Sequence, residues 1–281
     1  MVDRPLGLIA GAGAFPQLVV AGARSAGRAV VVLGLKGYAD PHLRGAADIY
    51  CPIPIARVGR WIRLLKRYGV GEVIFAGGVH KSEAFSRWRI VRYLPDLRTF
   101  RIWYRRARDR RNLTLLAAVA EELAEEHIKV VNSIQYCRES LADEGIMGKH
   151  IPDQQQQTDI EFGFPLAVQI ADHDIGQAIA VYERDVVAVE ALEGTDAMIE
   201  RAGRLCRRSG WTLIKVAQKH QDMRFDVPTV GPATIENLYR SGGRALVLEA
   251  GVTLMLEKQK MIDLADRYEV VVMGQKRHSA D

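Results

Sequence analysis

The chain predicts an α/β protein in two parts: a Rossmann-like parallel-sheet domain over residues 1–150, a linker over 151–161, and a smaller α/β domain over 162–281. Three observations carry this. In the first half, apolar runs of strand length alternate with helical patterns, which implies a parallel sheet covered on both faces. The stretch "IPDQQQQTD" (151–159) is polar, proline-led and low in complexity, and reads as a linker. Beyond it, from about Phe162, the pattern mixes helix, hairpin and helix. A length of 281 residues suits two cores better than one.

In order, "LGLIAGAG" is a buried strand ending in glycines, and "PQLVVAGARSAG" has helical spacing closed by a glycine. "AVVVLGL" is a second strand, "RVGRWIRLLKRYG" an amphipathic helix and "GEVIFAGGV" a third strand. Helix "LTLLAAVAEELAEEH" and strand "IKVVNSI" follow. In the second half "AIAVYERDVVAVEAL" alternates like a two-stranded hairpin, and "AMIERAG" is a short helix ending in glycine.

Composition excludes several classes. Three scattered cysteines, Cys51, Cys137 and Cys206, make neither a disulfide framework nor a zinc site. The uncharged run 5–23 has the length of a membrane span, but four glycines and two prolines read it as strand, loop and helix start. A cytoplasmic protein is the expectation. The net charge of +5 is unevenly spread: residues 86–111 hold ten arginines against two aspartates, +8, leaving −3 for the rest. Trp88, Tyr93, Phe100, Trp103 and Tyr104 are interleaved there. Such a stretch fits a solvated helix with its aromatics in the core, a contact with anionic lipid headgroups, or a track for nucleic-acid phosphates.

Two glycine loops end strands. "GAGAFP" sets Gly11, Ala12 and Gly13 between strand and helix, where free backbone N–H groups favour an anion; equally, the glycines serve as a purely structural tight turn. The dinucleotide fingerprint fails, because Pro16 stands at its third glycine and the first acid past the next strand is Asp40. The second loop, "FAGGVHK", brings Gly77 and Gly78, with His80 and Lys81 as further phosphate contacts.

Carboxylates gather in three turns of the second half. "ADHDIGQ" supplies Asp172 and Asp174, "VEALEGTDAM" supplies Glu190, Glu193 and Asp196, and "HQDMRFDVPTVG" supplies Asp222 and Asp226 around Arg224. Carboxylates serve hard divalent cations or an attacking water. Equally, Thr195 and Asp196 cap the following helix and Asp222 pairs with Arg224 on the surface.

The ordered set "GLIAGAGAFP", "FAGGV", "DIGQAIAV", "VVAVEALEGTDAMIERAG" and "QDMRFDVPTVGPATI" resembles the UDP-2,3-diacylglucosamine pyrophosphatase family of lipid A biosynthesis, in its form built from two α/β domains. The likeness runs from Gly7 to about Gly274 and is densest in the second half. It implies Mg²⁺- (or Mn²⁺-) dependent cleavage of the pyrophosphate, with water attacking the α-phosphorus and releasing UMP and the acylated sugar phosphate. By the same resemblance the catalytic residue is Asp226, and Asp226, Asp196 and Asp222 hold the metal. Substrate and phosphate contacts then fall on Gly11, Ala12, Gly13, Gly77, Gly78, Gln177, Glu193, Gly194, Thr195, Asp196, Gln221 and Arg224. A loose, charge-rich phosphoryl transition state needs such positioning and electrostatics.

The chain departs from the family pattern at Asn112 and Leu113, where paired aspartates are usual, and at Gln218, where a lysine is usual. Gly78 and His80 also differ from the family's usual polar residues. Two rival expectations follow: a protein that binds a nucleotide sugar or lipid without turnover, or a hydrolase of altered substrate. A nucleic-acid partner is the weaker third. An amphiphilic substrate places the protein at the cytoplasmic face of the inner membrane, touching it through residues 86–111, with homodimerisation left open.

Overall fold

In the computed structural model the described residues are 4–79, 95–102, 104, 112–219 and 221–277. They fall into two compact units, Met1–Cys137 with Met223–Asp226, and Arg138–Asp222 with Val227–Asp281.

The first unit runs β1 (Leu6–Ala10), α1 (Phe15–Ser25), β2 (Val30–Leu35), α2 (Leu43–Ala46), β3 (Ile49–Ile53), α3 (Val58–Arg67), β4 (Glu72–Ala76), α4 (Leu97–Arg101), α5 (Asn112–Glu125) and β5 (Lys129–Val130). Its five strands form one sheet in the order β3-β2-β1-β4-β5, and every pairing is parallel. Every residue of β1 and β2 is buried, as a sheet covered on both faces requires. In α3, Val58, Trp61, Ile62 and Leu65 recur at helical spacing and enter the core, while the charged residues face out. The strand expected over 128–134 keeps only Lys129–Val130 in the ladder. Past Val131 the backbone turns away, because Ser133 donates its N–H to Met223 C=O at 3.1 Å instead of to a strand.

The second unit runs β6 (Gly145–Ile146), α6 (Gln154–Asp172), β7 (Ala178–Tyr182), β8 (Asp185–Val189), α7 (Thr195–Leu205), β9 (Trp211–Lys215), β10 (Thr229–Val230), α8 (Pro232–Arg240), β11 (Gly243–Glu249), β12 (Leu254–Met255), α9 (Lys258–Arg267) and β13 (Val271–Gln275). Six strands make a mixed sheet ordered β6-β13-β11-β9-β7-β8, and β10 pairs β12 separately. β13, β11 and β9 are parallel, whereas β7 runs antiparallel to β9 and β8. Neighbouring residues on β9 separate to opposite faces. Leu213 joins the cluster with α7, α8 and α9, and Ile214 joins Ile160, Phe164 and Ala167 of α6.

The β7–β8 hairpin is as the alternation predicts. Its turn residues Glu183 and Arg184 both have positive φ, 52° and 64°, the twist that two-residue hairpin loops favour. Two expectations are corrected. The supposed linker 151–161 is the start of α6, closed by a capping box: the Asp153 carboxylate accepts from Gln156 N–H at 2.8 Å, and the Gln156 side chain accepts from Asp153 N–H at 3.0 Å. The low-complexity glutamines are helix formers whose side chains bond within the helix, as Gln155 does to Asp159 at 3.1 Å. Buried Asp159 in turn accepts the hairpin turn's N–H groups from Glu183 and Arg184. With the division at Cys137 and Arg138, the second unit is also not the smaller one, for the two are near equal in length. No helix among the described residues is long and apolar enough to cross a membrane.

Candidate active site

β1 and β4 lie side by side at the centre of the first sheet, and the strand order reverses between them. Open parallel sheets take ligands beyond the carboxyl ends of strands at such a point. Both glycine loops start there. Gly11 N–H donates to Ala76 C=O at 2.8 Å, Ala12 N–H to Gly78 C=O at 2.8 Å, and Gly78 N–H to Ala12 C=O at 2.9 Å. A Cβ on Gly11 would stand 2.6 Å from the Gly78 oxygen, and one on Gly77 (φ +89°) 2.6 Å from the Ala12 oxygen. Only glycine permits that approach.

The N–H groups of Gly11 and Ala12, expected to face an anion, are therefore spent on joining the loops. The open side is at Gly13 and Gly78, where an added Cβ would meet no atom within 4 Å. Beside it, α1 begins after Ala14 with no side-chain cap. Pro16 has no N–H and Gln17 N–H donates to Ala14 C=O at 3.1 Å, which leaves, among the described residues, Phe15 N–H at the helix start for a ligand. Asp40 is engaged by the Gln17 side-chain amide at 2.8 Å and by His42 N–H at 2.8 Å.

The segment carrying Asp226 packs onto this same sheet end. Ser133, 1 % exposed, holds Met223 through its N–H, and its hydroxyl lies 2.8 Å from both Phe75 C=O and Arg224 C=O. One hydroxyl proton is shared between those two acceptors. Phe225 packs edge-on against Phe75, centroids 5.7 Å apart at 74°, and the Arg224 guanidinium covers the Phe225 ring at 5.0 Å. Phe75 lies two residues before Gly77 on β4, so these anchors bring Asp226 to the strand end that bears the glycine loops. Asp226 itself is half-buried, and among the described residues its carboxylate has no hydrogen-bond or ion-pair partner. Ser133, Phe75 and Phe225 escaped the sequence reading. Their one signal was a serine closing an apolar strand and an aromatic residue preceding the aspartate.

In the second unit the "EGTD" loop joins β8 to α7. Gly194, at φ +83°, is the residue before the helix and offers no side-chain cap, so Thr195 and Asp196 fill the first helical positions instead of capping it. The Thr195 hydroxyl donates to Glu190 Oε1 at 2.9 Å and accepts from Lys215 Nζ at 2.8 Å. Lys215, 7 % exposed at the carboxyl end of β9, was not singled out, although a lysine ending the apolar run "WTLI" marks it. Glu193 accepts from Ala191 N–H at 3.1 Å and pairs with Arg201, which also donates to Val189 C=O at 2.7 Å. Backbone hydrogen bonding at Glu193 itself, then the Arg201 guanidinium, hold the Glu193 carboxyl below its ordinary value. Asp196 is exposed, and its C=O accepts from the Asn237 amide at 3.2 Å.

The "DIGQ" stretch buttresses this loop. A Cβ on Gly176 would stand 1.9 Å from Glu190 C=O, and Gln177 C=O accepts from Val216 N–H at 2.9 Å. Asp172 is drawn off to Arg277 at 2.8 Å, and Gln221 accepts from Gln218 N–H at 3.0 Å.

Asp226 belongs to the first unit, and Asp196 and Asp222 to the second. Among the described residues no group of three or more His, Cys, Asp or Glu could hold a metal on its own. A hard cation held by one or two carboxylates, with water and substrate phosphate completing its shell, needs no such group, and the partnerless Asp226 suits it. His80, Lys81, residues 86–94, 103 and 105–111, and the side chains of Asn112 and Leu113 lie outside the described residues. Of the arginines within 86–111 that are described, Arg98 and Arg101 pair with Glu122 of α5.

The parallel sheet of the first unit and the mixed sheet of the second define a two-unit α/β protein. Residues 5–140 match the family model of the LpxI N-terminal domain and residues 143–273 that of the LpxI C-terminal domain. The UDP-2,3-diacylglucosamine pyrophosphatase LpxI of Caulobacter vibrioides is 34% identical over 281 residues, 96% of this chain and 97% of that protein. The chain belongs to the LpxI family.

Proposed function

We propose that the chain hydrolyses the pyrophosphate bond of UDP-2,3-diacylglucosamine, giving UMP and 2,3-diacylglucosamine 1-phosphate, a step of lipid A biosynthesis. The observation that carries the site is the partnerless Asp226 carboxylate, fixed by Ser133 and Phe225 at the strand end that bears both glycine loops. Water forms the new bond to the α-phosphorus as the bond to the bridging oxygen breaks, and the sugar phosphate leaves. Asp226 orients that water and takes up its proton.

The first unit serves in a Rossmann-like manner, its open face at Gly13 and Gly78 and Phe15 N–H at the start of α1 receiving phosphate. Gln177, Gly194, Gln221 and Arg224 contact the substrate, and the Glu193 and Thr195 side chains, held by Arg201, Glu190 and Lys215, preorganise their own loop. Mg²⁺ (or Mn²⁺), with the Asp226 carboxylate as a ligand, supplies charge neutralisation for the pyrophosphate when bound. The protein works peripherally at the cytoplasmic face of the inner membrane, as a monomer or homodimer.

UMP release from the purified substrate in Mg²⁺, with EDTA and Asp226→Ala as parallel controls, tests this. Release that both controls abolish supports the reading. Substrate binding without release would favour the second reading, a nucleotide-sugar-binding protein, which the departures at Asn112, Leu113 and Gln218 motivate.

A further inference from the structure

Helix α3 and the residue before it place Arg57, Arg60, Arg63 and Arg67 at intervals of three, three and four, on one face. With Leu64, Pro95 and Asp96 they line a cavity of about 580 Å³. Asp96, the one acid in that lining, is committed elsewhere. Its Oδ1 accepts from Thr99 N–H at 2.9 Å and from the Thr99 hydroxyl at 2.8 Å, capping α4. Among the described residues none of the four arginines has an ion-pair or hydrogen-bond partner. Arg67 alone has a ring contact, over Tyr68 at 5.8 Å. Four like charges around one cavity repel each other, and only an anion relieves this.

The helix beside it turns its apolar side chains to solvent. In α4 the charges are engaged by α5: Arg101 bonds the buried Glu122 at 2.8 Å and Arg98 approaches it at 3.7 Å, while both arginine side chains stay partly exposed. The apolar residues point outward, Leu97 at 89 % exposed and Phe100 at 55 %, with Tyr104 at 82 % stacked on Phe100. A helix serving only a soluble core shows the reverse. The two elements are fixed to each other, for Val58 N–H donates to the Thr99 hydroxyl at 3.0 Å and Asp96 N–H to Ala56 C=O at 3.3 Å.

We propose that this α3–α4 face docks on a lipid leaflet that carries anionic phospholipid headgroups. The four arginines meet lipid phosphate, and Leu97, Phe100 and Tyr104 enter the boundary between headgroups and acyl chains. The inference deepens the proposed function, resting on its lipid substrate, and adds the α3 arginines to the contact expected of residues 86–111. A second copy of the chain is a poor occupant, because a two-fold contact would oppose one arginine cluster to another.

The test is flotation with vesicles of phosphatidylcholine, with and without phosphatidylglycerol. Wild type should float with the anionic vesicles only, and less so at high salt. Replacing all four α3 arginines with serine should cut affinity by roughly fivefold for each arginine. The four-lysine variant should restore it, which separates charge from folding. Leu97→Ser with Phe100→Ser should weaken what binding survives high salt. UMP release from detergent-solubilised substrate should stay at the wild-type rate in every variant.

Serine variants that float like wild type would overturn the dock. So would wild type that ignores anionic vesicles but binds an oligonucleotide, or that forms dimers lost in the Leu97 and Phe100 variant. Absence of UMP release from wild type in detergent would instead count against the hydrolase, so the two failures are distinguishable.

Discussion

Two acidic loops look alike in sequence and differ in structure. Around Asp226 the backbone is held from several sides, by Ser133, Phe225 and Phe75, while the carboxylate is left without a partner. In the "EGTD" loop the side chains are the ones held: Lys215 to Thr195, Thr195 to Glu190, Glu193 to Arg201. A carboxylate whose lone pairs are engaged within the fold is scaffold, whereas a free one on a rigid support is placed for a ligand, a water or a cation. On the proposed function, this difference fits Asp226 as the reagent and the side chains of the second loop as scaffold.

The sharpest way to break that contrast is Asp226→Ala. It should lower kcat by about 10²–10⁴-fold, with the melting temperature unchanged, since no bond inside the fold is lost. A variant that retains more than roughly a tenth of the rate argues against Asp226 as the reagent. Next in size is Gly77→Ala. It must hold φ +89° with its Cβ 2.6 Å from Ala12 C=O, so it should cost about 1–3 kcal/mol in chemical denaturation and disturb the loop pair. Gly78→Ala is its control, because nothing lies within 4 Å of the added Cβ. It should leave stability alone, and a loss of substrate affinity would place the ligand against that open face.

Much of this was legible in the sequence, and what was not has physical causes. Parallel strands and their glycine ends are written in consecutive residues, so β1, β2, β4 and the β7–β8 hairpin could be read directly. The Gln-rich stretch misled because a capping box and a polar first turn look like a linker until Asp153 and Gln156 are seen bonding reciprocally. Asp226 was reachable through its motif, but its support was not. Ser133 and Arg224 are far apart in sequence, and no local pattern shows a hydroxyl shared between two distant carbonyls. The partners of cations are hidden for a similar reason. Arg98 and Arg101 of the dense arginine run are engaged by Glu122, while the sparser arginines of α3 have no ion-pair partner among the described residues. Charge density in sequence says nothing about where the counter-charges fold.

A smaller effect is expected from Lys215→Met, which probes the scaffold side. The replacement is of similar length, so packing at the end of β9 survives. It removes the donor to Thr195, in a network where Glu190 Oε2 is already buried without a hydrogen-bond partner. Losing that charge-assisted hydrogen bond should cost about 1–3 kcal/mol in urea unfolding, although the Thr195 hydroxyl keeps its bond to Glu190. Thr195→Val, which breaks the same chain at its middle, should show strong non-additivity with it in a double-mutant cycle. Additive losses would mean the two residues do not act as one unit.

The smallest effect tests whether the Glu193–Arg201 pair is only scaffold. The folded carboxyl is depressed below its ordinary 4.5, first by backbone hydrogen bonding and then by Arg201. Its contribution to stability is therefore complete above the unfolded value and is lost as pH falls through the lower folded value. Glu193→Gln should accordingly flatten a slight acid-side slope in melting temperature and leave neutral stability nearly unchanged, an effect that salt weakens further because the pair is exposed. If Glu193→Gln instead leaves the acid slope intact and removes UMP release at neutral pH, its carboxylate is engaging substrate or cation despite the arginine. The contrast between a free reagent and a committed scaffold would then fail at the residue where the two loops differ most.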